Sequence, residues 1–160
     1  MKECCRGFAN QAGKRDSALD TLSTLSAVVN KNMDSISNML IIMKNGSLAG
    51  KESVFFPYSK MKNAIAECLK KEGYVSNIAK KVKKDQPVLE VGLIYRDKNP
   101  KITEVERISK QSRRVYFGMK DIHSIRNGSG LLVLSTPKGI LSGKDARKEQ
   151  VGGEALFKIW

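Results

Sequence analysis

The chain is poor in the residues from which metal centres and nucleophilic triads are built. Its 160 residues include one histidine, His123, and three cysteines, Cys4, Cys5 and Cys68, with no Cys-x-x-Cys pair among them. A multi-ligand zinc site therefore lacks ligands. Unpaired cysteines also fit a reducing, intracellular setting better than a disulfide framework, and Cys68, on an apolar helical stripe, reads as a small buried hydrophobe. No run reaches the roughly 18 consecutive apolar residues of a membrane-spanning helix. Acidic residues are few, 16 against 29 Lys and Arg. They are scattered among lysines, so neither paired carboxylates nor an oxygen-rich metal cage emerges. No repeat of fixed period and no low-complexity segment is present.

What is abundant is apolar content and positive charge. A hydrophobic fraction of 41% can supply the core of one ordinary domain or two small ones. The net charge of +13 points to a polyanion partner, with affinity that falls steeply in salt. The basic residues belong to the patterned region and not to a tail: Lys60 and Lys62, Lys70 and Lys71, Lys80 through Lys84, Arg113 and Arg114, Arg147 and Lys148. A membrane-surface helix would oppose lysines with leucine and aromatic residues. The second helix predicted below opposes them with Ala64 and Cys68, which suits a core.

Residues 1–32 carry only the weak apolar series Leu19, Leu22, Leu25, Ala27, Val28, Val29. They read as a disordered extension or an upstream start, with Met33 as the alternative first residue, and they fit neither a signal nor a transit peptide. Periodicity sharpens from Asp34. Ile36, Met39, Leu40 and Met43 share one helix face, and Asn45-Gly46 reads as its stop. Residues 53–56 form a short strand ended by Pro57. Ser59 then caps a helix with the stripe Met61, Ala64, Ile65, Cys68, Leu69, closed by Gly73. Residues 74–82 and 88–95 read as strands, the second alternating Leu89, Val91, Leu93, Tyr95 against the other face, and Lys80 through Lys84 read as their connector. Residues 96–101, with Asn99 and Pro100, break the pattern. Short strand-like runs follow at 105–108, 115–117, 131–134 and 155–159, with short helices at 120–124 and 144–149. The expectation is an α+β fold: an αβαββ half over 33–96 beside a mainly antiparallel β half with short helices over 97–160.

The stretch LLVLSTPKGILSG, residues 131–143, sets a polar knot between apolar runs. Residues 139–144 invite comparison with a phosphate-binding loop, but three residues separate Gly139 from Gly143 where four are needed, and Asp145 follows Lys144 where a hydroxyl belongs. A nucleotide-hydrolysing enzyme built on 139–144 is the alternative reading of the chain. Gly128-Ser129-Gly130 reads as a turn, and a serine nucleophile would need His123 as its base, with no sequence feature tying it to Ser135. Ser135 and Thr136 offer two hydroxyls, Lys138 a cation and Gly139 a close backbone, which together suit phosphates, ribose hydroxyls and base edges of irregular RNA. A turn between a strand and a helix, capped by Ser or Thr and stiffened by Pro137, explains the same residues. Of Tyr116 and Phe117, alternation sends one inward and one outward, where a ring can stack on a base.

Residues 130–141, then Ala146-Arg147, then Gly152-Gly153-Glu154 resemble the bacterial-type family of small-subunit ribosomal protein eight. The likeness extends through Asp34, Ile36, Met39-Leu40, Lys44-Asn45-Gly46, Ser59-Lys60-Met61-Lys62 and residues 70–74. The resemblance implies a non-catalytic, cofactor-free constituent of the cytoplasmic 30S subunit. Such a protein binds the central domain of 16S rRNA, helps assemble the platform, and lies near ribosomal proteins five and twelve. It implies no membrane and no homo-oligomer, and it allows repression of the protein's own operon mRNA. By position it assigns specific RNA contact to Ser135, Thr136, Lys138 and Gly139, with Glu154 and Tyr116 beside them and Arg147, Arg113 and Arg114 as further cations. Lys44, Asn45, Lys60 and Lys62 match a more electrostatic surface on the first half. Glu154 faces RNA with a charge that repels phosphate, so the expectation is that it accepts from a base amino group or orients Lys138 or Arg147. Pro137 stands where the family often has serine, which removes one hydroxyl and one backbone donor.

Overall fold

The computed structural model describes residues 34–83, 86–96 and 99–160. The expected extension over 1–32, with Cys4 and Cys5, lies outside the described residues. Helix α1 spans Ser35–Leu48. It starts where Asp34 can cap it: Oδ1 accepts from the Ile36 amide at 3.0 Å and Oδ2 from the Ser37 hydroxyl at 2.9 Å. The expected stripe, Ile36, Met39, Leu40 and Met43, is buried. The expected stop is not the end, because the helix runs through Asn45-Gly46 to Leu48. Gly46 is a packing residue, since a Cβ there would run into Val54 Cγ1. The chain leaves the helix at Gly50, with φ +68.

Strand β1 is Ser53–Pro57 and helix α2 is Lys60–Lys71. The buried face of α2 is Lys62, Ile65, Ala66, Cys68 and Leu69, while Met61 is exposed. The expected stripe is therefore rotated, with Lys62 inside in place of Met61. Burial raises the Cys68 thiol pKa to about 11, in keeping with a structural cysteine.

Strands β2, Val75–Lys83, and β3, Gln86–Leu93, complete a three-stranded antiparallel sheet in the order β1-β3-β2. Lys80 and Lys81 pair with Leu89 and Val88. The lysine run expected to connect the strands is thus the end of β2, and the turn at 84–85 lies outside the described residues. Central β3 alternates as expected, with Leu89, Val91 and Leu93 buried.

The break at 96–101 is a small hairpin, β4 (Tyr95–Arg96) against β5 (Asn99–Pro100). Beyond it come β6 (Val105–Arg107), β7 (Tyr116–Phe117), β8 (Leu131–Thr136), β9 (Gly139–Ser142), helix α3 (Gly143–Lys148) and β10 (Gly153–Ile159). The second sheet runs β6-β10-β8-β9, with β7 also on β10. The helix expected at 120–124 is a 3-10 turn at Met119–Asp121. Strand β9 was not expected, because Gly139-Ile140-Leu141-Ser142 is too short to show alternation.

The main core draws on both sides of the hairpin: Met39, Met43, Ile65, Leu69, Leu89 and Val91 join Val133, Leu156, Phe157 and Ile159. Each fully buried large side chain contributes about 2 kcal/mol of burial free energy. A smaller cluster of Ile122, Leu132, Leu134, Ala146 and Ala155 covers the other face of the second sheet. Arg107 ties the two halves, with Nε 2.8 Å from Asp34 Oδ2 and Nη1 donating to the Leu156 carbonyl at 2.6 Å. Burial alone would raise the Asp34 pKa, but hydrogen bonds from Arg107, Ser37 and the Ile36 amide outweigh it and lower the pKa below the ordinary value.

Candidate nucleic-acid interface

The polar knot is the tip of the β8–β9 hairpin. Leu131 through Leu134 are all buried because both faces of β8 are covered, and polarity begins where that cover ends, at Ser135. Thr136 pairs with Gly139, leaving Pro137 and Lys138 as a two-residue turn. Proline fixes φ near −65°, the value a first central turn residue needs. Lys138 is not among the positive-φ residues, and Gly139 absorbs the reversal at φ +118. Space for a Cβ on Gly139 is open, so its demand is conformational. Pro137 thus presets a strand-to-strand turn, where a strand-to-helix turn was the plainer expectation.

Register then sorts the predicted residues. Glu154 on β10 lies opposite both Tyr116 on β7 and Ser135 on β8, and Ser135 lies opposite Ile140 on β9. Directly opposed residues project from the same face, so Tyr116, Glu154 and Ser135 form one row across three strands. Tyr116 is 70% exposed, while Phe117 packs on the smaller cluster. Thr136 belongs to the opposite face: it is buried, and its hydroxyl donates to the Gly139 carbonyl at 2.9 Å. The two neighbouring hydroxyls, expected to act as a pair, are separated by strand alternation. One closes the turn and the other joins the row.

Glu154 does not orient Lys138 or Arg147. Its Oε1 is 2.7 Å from Arg114 Nη1, an ion pair that offsets the carboxylate charge beside any approaching phosphate. That bond and the nearby negative charge raise the Arg114 pKa above its ordinary value. Lys138 Nζ instead lies 3.1 Å from Glu149 Oε2, and the Arg147 guanidinium donates to the Ile122 carbonyl. No sequence spacing pointed to Glu149 as a partner. Arg113 is exposed in the loop beside Arg114, where its backbone and that of Lys110 exchange two hydrogen bonds.

The row depends on Gly152 and Gly153, read in the sequence only as part of a motif. A Cβ on Gly153 would collide with the Ser135 carbonyl, and one on Gly152 would sit 2.6 Å from the Phe117 carbonyl. Only glycine lets β10 run this close between β7 and β8.

The residues expected on the first half are not drawn into the row by any hydrogen bond or ion pair. Lys60 and Asn45 are exposed, and Lys44 Nζ lies 4.0 Å from Glu104 Oε1. Lys62 departs from the surface expected of it. Only 6% of it is exposed, its ammonium donates to the Pro57 carbonyl at 3.3 Å, and burial lowers its pKa.

The alternative phosphate loop is not a loop. Gly139–Ser142 is laddered to β8, and Ser142 Oγ accepts from the Asp145 amide at 3.2 Å as the cap of α3. His123 is exposed, and among the described residues no hydrogen bond joins it to Ser135.

An exposed ring, a hydroxyl and a charge-compensated carboxylate thus stand side by side near the hairpin tip, an arrangement chemically able to stack on a ring and to contact a polar edge. The family described as ribosomal protein S8 has a sequence model that matches residues 34–160, beginning at the Asp34 cap. The chain belongs to this family. Among its S8 relatives, small ribosomal subunit protein uS8 of Oleidesulfovibrio alaskensis is 42% identical over 127 residues, covering 79% of this chain and 98% of that protein. The uS8 of Dechloromonas aromatica is 45% identical over 123 residues, covering 77% and 94%, and that of Erythrobacter litoralis 39% over 127 residues, covering 79% and 97%. The S8 family is one of structural ribosomal proteins.

Proposed function

We propose that this chain is a structural constituent of the small ribosomal subunit that binds the central domain of 16S rRNA and helps assemble the platform. The observation that carries this reading is the in-register row of Tyr116, Glu154 and Ser135 beside the Pro137-Lys138 turn. Tyr116 stacks on an unpaired base, and Ser135 donates to or accepts from a ribose hydroxyl or base edge. Glu154, steadied by Arg114, accepts from a base amino group. Lys138, Arg113 and Arg147 add phosphate neutralisation, as do Lys44 and Lys60 on the first half, where the Asn45 amide adds a hydrogen-bond donor. The 97–160 half makes most of the specific contacts and the 33–96 half the weaker electrostatic ones. Ribosomal proteins five and twelve are its neighbours in the 30S particle, and its own operon mRNA is a second RNA ligand where the transcript mimics the rRNA site.

The test is binding to a cognate rRNA element and to a plain duplex, together with co-sedimentation with small subunits. Ser135→Ala should lose discrimination between the two RNAs, whereas Lys138→Gln should weaken both and lower the salt slope by about 1. Equal losses on both RNAs for Ser135→Ala would defeat the specific role of the row. Thr136→Val should act through stability, with a cost of about 1 kcal/mol for the lost hydroxyl bond.

A further inference from the structure

Two motifs that the interface leaves unused meet at the other end of β8. A cavity of about 320 Å³ opens where the β4–β5 hairpin faces the start of β8, and its lining includes Arg96, Lys101, Lys144 and the 128–130 turn. Lys144 is the lysine of the failed phosphate loop, and 128–130 is the Gly-Ser-Gly turn. The turn does not offer its backbone to a ligand: the Gly128 and Gly130 amides both donate to the Ile125 carbonyl, and the Ser129 amide to that of Arg126. Its role is to shape the wall, with Arg126 and Asn127 at φ 45 and 54 and Gly128 at φ 93.

The charge in this cavity is poorly compensated. Lys101 is fixed, donating to the Gly73 carbonyl at 2.7 Å with its ammonium 4.9 Å from the centre of the Tyr74 ring. Burial and the nearby positive charge of Arg96 lower its pKa, against a smaller opposing effect from Glu72. Arg96 and Lys144 are exposed and enter no ion pair among the described residues. Among the described residues Glu72 is the one acid on the lining. Three cations thus line the cavity with Glu72, and a bound anion would relieve the repulsion between Arg96 and Lys101 that the free protein bears.

We infer that the Arg96, Lys101 and Lys144 cavity is a second phosphate site, which takes a backbone phosphate of the same RNA that the Ser135 row reads. This inference rests on the proposed RNA-binding role. Leu131 lines the cavity and Ser135 lies in the row, so β8 itself spaces the two contacts by about 13 Å at roughly 3.3 Å per residue. The row reads shape and edges, and the cavity fixes how the RNA lies along the strand.

The experiment measures affinity of the full chain for the cognate rRNA element and for a plain duplex across a salt series. The proteins are the wild type, Arg96→Gln with Lys144→Gln, and Ser135→Ala. Lys101 is left in place because it holds Gly73, and thermal melting checks that the double variant is folded. The double variant should lose about tenfold in affinity and about 1.5 in salt slope while keeping its preference for the cognate element. Ser135→Ala should do the reverse. If the wild type shows no preference for the cognate RNA, the RNA-binding role itself fails. If it shows the preference and the folded double variant keeps the wild-type slope, the second site is overturned. A matching chemical-shift response of Arg96 and Lys144 to inorganic phosphate alone, with no change in the RNA slope, would assign the cavity to a free anion and equally overturn it.

Discussion

Strands β3 and β8 are both central to their sheets, yet they are built on different patterns. In β3, Leu89, Val91 and Leu93 are buried while Val88, Glu90 and Gly92 between them are only partly covered. In β8, Leu131, Leu132, Val133 and Leu134 are buried without interruption. The first sheet packs one face on the helices and leaves the other open. The second is enclosed by the main core on one side and by the Ile122, Leu134 and Ala146 cluster on the other. A strand held on both faces can carry a rigid polar tip, because nothing behind the tip yields. The first half, with an open sheet face and lysines along the edge strand β2, offers charge without comparable shape.

The sharpest way to break this contrast is at the glycine on which the second sheet closes. Gly153→Ala should destabilise by about 3 kcal/mol in thermal or denaturant unfolding, since the added Cβ meets backbone rather than a movable side chain. A cost below about 1 kcal/mol would mean that β10 can shift without harm. Next comes an alanine ladder. Adjacent Val133→Ala and Leu134→Ala should each cost about 2 to 3 kcal/mol, whereas adjacent Val91→Ala and Glu90→Ala should differ, with about 2 for the first and under about 1 for the second. Equal costs in β3 would erase the distinction.

Asp34→Asn probes the tie between the halves. It should cost about 1 kcal/mol at neutral pH through the weakened Arg107 pair, because an asparagine amide oxygen can still cap the helix. The folded carboxyl is more acidic than the unfolded one, near 3.9, so its stabilisation is fully present above that value and is lost as pH falls through the folded pKa. The gap between wild type and variant should therefore close on acidification. A gap that persisted at pH 2 would show that the loss is steric and not electrostatic. The smallest effect belongs to Lys62→Met, which should leave stability within about 1 kcal/mol and RNA affinity within about twofold, because a buried amine is replaced by a similar apolar volume. A tenfold loss of RNA affinity would return Lys62 to the interface.

Much of the fold was legible because hydrophobic periodicity reports which side of a helix or strand is buried. The stripe of α1, the alternation of β3 and the apolar runs of β8 and β10 all appear where their patterns placed them. The misreadings arose where a residue type has two uses. Gly46 signalled a helix end but serves close packing against Val54. The run from Lys80 looked like a connector but pairs along an edge strand whose outer side is open to water. Met61 and Lys62 exchanged places because a lysine can bury its stem and satisfy its ammonium on the Pro57 carbonyl.

The sequence alone determined the α+β architecture, the excess of positive charge, the likeness to the family, and a polar turn with its proline and glycine after an apolar run, whereas the hairpin that this turn closes came from the structure. These follow from local backbone preference and the free energy of burying apolar surface, both of which act over a few residues. Only the tertiary structure decided that Tyr116, Ser135 and Glu154 share a row, that Thr136 turns away from it, that Glu154 pairs with Arg114, and that Arg96, Lys101 and Lys144 converge on one cavity. Each of those depends on strand register and backbone approach between distant segments, and the approach exists because Gly152 and Gly153 leave no Cβ in the way.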